Sequence, residues 1–150
     1  MNKIKQQLYK YCQQWVDEKI ALAQSEINAA QASANEETKS SAGDKYETAR
    51  AMAQLEIEKN TSQLSEAGKL KRLLGEFSGE TETSRAQLGS LIQTDNDWFY
   101  ISLSAGKVIL GDATYICLSP VSPLGAKMIN LESGDSFSFN NKSYHIQSVY

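Results

Sequence analysis

The chain is short of the residues on which most independent catalysis and most small scaffolds depend. Histidine occurs once, at His145, in an apparent strand near the C-terminus. That excludes most histidine-based catalytic and zinc arrangements, so His145 is expected to be structural. Cysteine occurs twice. Cys12 and Cys117 lie far apart, in what read as different structural units, and fit a reducing compartment better than a disulfide scaffold or a metal site. No apolar run approaches the roughly 20 residues that span a bilayer. Met1 to Lys10 carries three lysines but leads into no apolar signal-type core. The expected location is therefore the cytoplasm, without membrane contact. Nucleophile–base sets, phosphate loops and intrinsic metal clusters are not found either, which points to an auxiliary factor and away from an independent enzyme. The formal net charge of −3 gives no bulk attraction to polyanions.

What is present comes in two halves written in different periods. The 150 residues, 22% charged and 41% hydrophobic, suffice for one ordinary domain or two small ones. Up to about residue 80 the chain is rich in Ala, Gln, Glu and Lys and has no proline. Ile4, Leu8, Cys12, Val16, Ile20, Ala23, Ile27, Ala30 and Ala34 recur every three or four residues, one apolar stripe on a helix of more than thirty residues. Small polar residues between Thr38 and Gly43 interrupt it. The stripe resumes with Tyr46, Ala49, Ala53, Ile57, Leu64, Ala67, Leu70 and Leu74. Asp44 follows Gly43, and Glu47 stands three residues later, both favourable at a helix N-terminus. Two such helices with a short connection predict an antiparallel hairpin on the order of 45–50 Å long. A dimerising coiled coil or one side of a bundle fits the same pattern.

The second half uses period two. Residues 87–94, 98–103, 107–110, 114–118, 136–140 and 144–149 read as strands. Gly106, Gly111-Asp112, Gly134-Asp135 and Asn140-Asn141 mark turns. Ser122 to Asn130 is a short helix with Pro123 in its first turn. The expected core holds Trp98, Tyr100, Ile101, Ile109, Ile116, Leu118, Phe137, Phe139, Ile146 and Val149. The fold class is thus α+β: residues 1–77 an antiparallel coiled-coil arm with an acidic tip near 36–47, residues 78–86 a linker, and residues 87–150 a β-rich domain.

Two stretches, Ile116 to Asn130 with Gly134-Asp135, and Gly43-Asp44-Lys45-Tyr46-Glu47, together resemble GreA/GreB-type transcript cleavage factors. One is Ile116-Cys-Leu-Ser-Pro-Val-Ser-Pro-Leu-Gly-Ala-Lys-Met-Ile-Asn followed by Gly134-Asp135 and a closing hairpin. It matches the family's end through Ser122, Pro123, Leu124, Gly125, Ala126, Lys127, Gly134 and Asp135. The other is Gly43-Asp44-Lys45-Tyr46-Glu47, similar to the family's Gly-Asp-x-x-Glu at its hairpin tip. The resemblance spans the whole architecture, though identity is thin outside these stretches. It implies an FKBP-like β domain docking at the rim of the RNA polymerase secondary channel, through residues such as Ser122, Pro123, Leu124, Gly125 and Lys127. The arm would enter the channel, and Asp44 and Glu47 would share a Mg²⁺ ion with the polymerase and assist cleavage of backtracked RNA. Mg²⁺ suits this role because proteins often supply only one or two of its oxygen ligands. A tightly bound cofactor is not implied. The chain is expected to act as a monomer, with RNA polymerase as partner and the nascent RNA contacted indirectly.

The pattern also departs from the family. Where the family continues Asn-Ala-Glu-Tyr, this chain has Thr48-Ala49-Arg50-Ala51, which replaces a third acid by Arg50 and removes the aromatic. A channel-occupying regulator without cleavage therefore stays open. So do a coiled-coil adaptor and a peptidyl-prolyl isomerase, the last suggested by fold alone. Residue by residue, Asp44 and Glu47 also read as helix capping. Glu36 and Glu37 read as a solvated face offset by Lys39 and Lys45. Lys69, Lys71 and Arg72 read as a cationic helix end or a partner contact. Trp98, Phe99 and Tyr100 could form a stacking platform, but strand alternation favours core packing for at least half of them.

Overall fold

The computed structural model describes residues 1–40 and 43–150, with backbone only at 37–40 and 44. The order is α1 (Asn2–Ser40), α2 (Asp44–Leu74), β1 (Leu91–Thr94), β2 (Trp98–Ile101), β3 (Gly106–Leu110), β4 (Ala113–Leu118), α3 (Pro123–Met128), β5 (Ser136–Phe139) and β6 (Lys142–Val149). This is an α+β chain: a long helical hairpin, then a six-stranded sheet with one short helix. Among the described residues no helix is long and apolar enough to cross a membrane.

The chain divides into two compact units, Val16–Arg72 and Met1–Trp15 with Leu73–Tyr150. The division differs from a boundary at residue 77, because the first turns of α1 group with the sheet. In the hairpin unit the apolar stripe is used as its spacing predicts: Val16, Ala23, Ile27, Ala30 and Ala67 are buried. Small alanines let two helices approach closely. Asn60, polar within the stripe, continues the register of Ile57, Leu64 and Ala67 and is fully buried. Its Nδ2 donates to Glu56 Oε1 at 3.3 Å, while Oδ1 has no partner among the described residues.

In the second unit the strands run β3-β4-β2-β1-β6-β5, with β2 and β4 parallel and every other neighbouring pair antiparallel. Alternation sends Phe99 and Ile101 to one face, where they pack with Leu118, Met128, Phe137, Tyr144 and Ile146. Tyr100 goes to the other face, where Phe77 meets it edge-on at 6.4 Å and in turn meets Tyr9 of α1 at 5.3 Å. Burial on both faces explains why β2 reads as a continuous apolar run, Trp-Phe-Tyr-Ile. Phe99 and Tyr100 are core residues, and Trp98 is half-buried between Tyr115 and Tyr150. Ile109 corrects the expected core. It is 73% exposed, because β3 is an edge strand and Ile109 pairs there with exposed Thr114.

Residues 78–86 are a packed strap rather than a loose linker. A Cβ at Gly79 would stand 2.8 Å from the Cα of Gln6, so only glycine permits the strap to lie against α1. Ala86 is fully buried and exchanges backbone hydrogen bonds with Leu131 and Asn130. The Thr83 hydroxyl donates to the Tyr150 carbonyl at 3.0 Å. Lys5 is wholly buried and its ammonium donates to the Thr81 carbonyl. Burial lowers its pKa, with Glu82 opposing the shift.

Candidate functional site at the hairpin tip and the α3 loop

Gly43 adopts φ 89°, a left-handed conformation that glycine enters without a Cβ clash, and α2 begins at the next residue. Its carbonyl accepts from the amides of Tyr46 at 3.1 Å and Glu47 at 3.3 Å, closing the first turn of the helix. Glu47 lies in this turn with its carboxylate exposed. The side chains of Asp44, Glu37 and Lys39 lie outside the described residues, so their expected roles are neither placed nor displaced. The departure at Arg50 acquires a partner: Nη1 donates to the Tyr46 hydroxyl at 3.2 Å. Glu47 and Arg50 are three residues apart, a spacing that puts them on one face of the helix. One turn on, Lys45, Thr48, Ala49 and Met52 line a shallow hollow, and Met52 and Leu55 are about two-thirds exposed.

A hard divalent cation fits exposed carboxylate oxygens at this place. No group of three or more His, Cys, Asp or Glu able to hold a metal occurs among the described residues. Mg²⁺ needs near-octahedral coordination, so Glu47 with Asp44 could serve only beside ligands from another molecule.

The second candidate region is the loop into α3. Ser122 caps the helix: its Oγ accepts from the Gly125 amide at 3.1 Å and donates to the Ser119 carbonyl at 2.6 Å. Val121 N donates to Ser119 Oγ at 3.2 Å. These bonds pull the backbone so close that a Cβ at Gly125 would fall 2.0 Å from the Ser119 oxygen. Ser122 and Gly125 thus build the loop, and half-buried Leu124 packs on the core. Pro123 and Lys127 face outward together with Val121, which is 88% exposed and which the sequence reading did not single out. Asp135 fixes the following turn, its Oδ2 accepting from the Glu132 amide at 2.9 Å.

The basic residues at the end of α2 are partly neutralised. Lys69 pairs with Glu66 at 2.9 Å and Lys71 with Asp17 at 3.5 Å, while Arg72 is exposed in the last turn. Exposed pairs of this kind contribute roughly 0–1 kcal/mol. His145 is exposed, with Nδ1 3.1 Å from Ser136 Oγ across the β5–β6 pair.

The fold and these two regions define a class, a helical-hairpin protein with a six-stranded β unit. Neither the protein-family models nor the curated proteins compared with the chain match it.

Proposed function

We propose that the chain is an auxiliary factor of RNA polymerase of the GreA/GreB kind, which inserts its hairpin tip into the secondary channel. The observation that carries this reading is the turn at Gly43, which starts α2 with Asp44 and leaves the Glu47 carboxylate exposed in its first turn. A carboxylate set unable to bind Mg²⁺ alone makes chemical sense when a second protein supplies the remaining ligands. The α3 loop supports it further, because Ser122 and Gly125 rigidify a turn that leaves Val121, Pro123 and Lys127 available for docking.

In this reading Asp44 and Glu47 would hold one Mg²⁺ jointly with the polymerase. When bound, the ion would lower the pKa of a water and stabilise charge on the phosphate being cleaved. The residues of this chain contribute orientation: the closed first turn of α2 fixes where the Glu47 side chain leaves the helix. The factor would promote cleavage of backtracked RNA and possess no catalysis of its own.

Arg50 favours a second reading, a channel regulator that does not stimulate cleavage. A guanidinium on the face of Glu47, held by Tyr46, opposes a divalent cation there by like-charge repulsion. A photo-crosslinker at Thr48 tests occupancy common to both readings. It should join the polymerase's catalytic subunit beside its active centre; crosslinks confined to the outer surface, or none, would overturn both.

A further inference from the structure

The sequence separates Cys12 and Cys117, but the fold brings them into one cluster. Cys12 belongs to the first turns of α1 and Cys117 to β4, and both lie in the same compact unit. Both are free thiols and both are buried, at 0% and 2% exposure. The register explains their meeting. Cys117 pairs with Tyr100 across the parallel β2–β4 ladder, and Ser102 N donates to the Leu118 carbonyl at 2.8 Å. Alternation then gives Tyr100, Ser102 and Cys117 the same sheet face. Cys12 descends onto that face, its Sγ 3.5 Å from Ser102 Oγ. Cys117 interacts electrostatically with Cys12 and lies beside Ser102 in the same cluster.

We propose that Cys12 and Cys117 form a redox-modification site, a dithiol that peroxide converts to a disulfide tying α1 to β4. The electrostatics make the two sulfurs unequal. The hydrogen bond from Cys117, aided by Ser102 and the Leu103 backbone, lowers the pKa of Cys12 against the opposing effect of burial. The same bond, with burial, raises that of Cys117. The Ser102 hydroxyl, 3.5 Å from the Cys12 sulfur, can support a thiolate there, which makes Cys12 the attacking sulfur and Cys117 the resolving one. Cys12 sulfur attacks one oxygen of hydrogen peroxide; the O–O bond breaks, leaving a sulfenic acid and, after proton uptake, water. Cys117 sulfur then attacks the sulfenic sulfur. The S–S bond forms, the S–O bond breaks, and the hydroxyl leaves as water with the Cys117 proton. Two thiols are oxidised and one peroxide is reduced to two waters.

The cluster has no third metal-type ligand among the described residues, so a disulfide is favoured over a soft-metal site. Burial favours an oxidant as small as peroxide in the folded protein. A bond closing so long a loop should raise the Tm by roughly 5–15 °C.

The test is peroxide treatment of the native reduced protein, alkylation of remaining thiols, and mass spectrometry of the non-reduced digest. The expected result is one peptide pair joined through Cys12 and Cys117, lighter by two hydrogens, restored by dithiothreitol and accompanied by the Tm rise. Cys117→Ser should stop at a Cys12 sulfenic acid, trapped by dimedone present as the oxidised protein is unfolded. Ser102→Ala, which keeps both thiols, should slow cross-linking several-fold. Should the serine variant fail to fold, the wild-type digest and Ser102→Ala carry the test. Two thiols alkylated intact after peroxide, or a cross-link formed only in denatured or between-chain form, would overturn the proposal.

Discussion

Arg50 donates from Nη1 to the hydroxyl of Tyr46 at 3.2 Å, one helical turn back on α2. The bond tethers a cation on the face that carries Glu47. If it restrains metal-assisted chemistry, Arg50→Glu should raise transcript cleavage several-fold, and Tyr46→Phe, which frees the guanidinium, should change it less. Unchanged cleavage rates in Arg50→Glu would show that the charge there has no bearing on the tip.

Gly125 is the tightest point of the α3 loop, and its requirement is steric. Alanine would place its Cβ 2.0 Å from the Ser119 oxygen, a backbone atom that cannot swing aside. Gly125→Ala should destabilise the β unit toward the upper end of about 1–3 kcal/mol, measured by urea unfolding. A variant as stable as the wild type would mean the loop relaxes freely.

Asn60 places a polar group where the stripe calls for an apolar one. Its Oδ1, without a partner among the described residues, carries a desolvation penalty of about 1–3 kcal/mol. Asn60→Leu should therefore stabilise the hairpin unit, read as a higher urea midpoint. The buried amide would then serve to fix the pairing of the helices, and the leucine variant should show a greater tendency to alternative association. A lowered midpoint would show that the leucine cannot be accommodated.

Lys5 gives a pH signature. Burial lowers its folded pKa below 10.5, so between the two values the unfolded chain binds more protons. Its unfavourable contribution is fully present below the folded pKa and is relieved as pH rises toward 10.5. Relative to Lys5→Met, the wild type should gain stability across that window, measured by denaturant unfolding at stepped pH. A wild type that loses stability relative to the variant would contradict the sign.

Much of this was legible in the chain because period and burial agree. The helical stripe from Leu8 to Leu74, all six strands and the Pro123 helix follow from spacing and turn residues. What escaped depends on long-range placement. Ile109 alternates like a core residue, yet sits on an edge that nothing covers. Residues 78–86 have a linker's composition, but Gly79 and Ala86 are small because they are pressed against other segments. The meeting of Cys12 with Cys117 rests on a parallel ladder and a docked helix, neither of which a local pattern encodes. At the candidate site, Gly43 and the exposed Glu47 were readable, whereas the Tyr46–Arg50 bond required the helix geometry.

The measurement closest to the central claim is transcript cleavage on backtracked elongation complexes of the cognate polymerase. Wild type is compared with Asp44→Asn and Glu47→Gln, and binding is quantified separately. The account predicts Mg²⁺-dependent RNA shortening that either substitution reduces by at least about 100-fold, with polymerase affinity kept. Cleavage that survives both substitutions, or a wild-type chain that does not bind the polymerase, would contradict it.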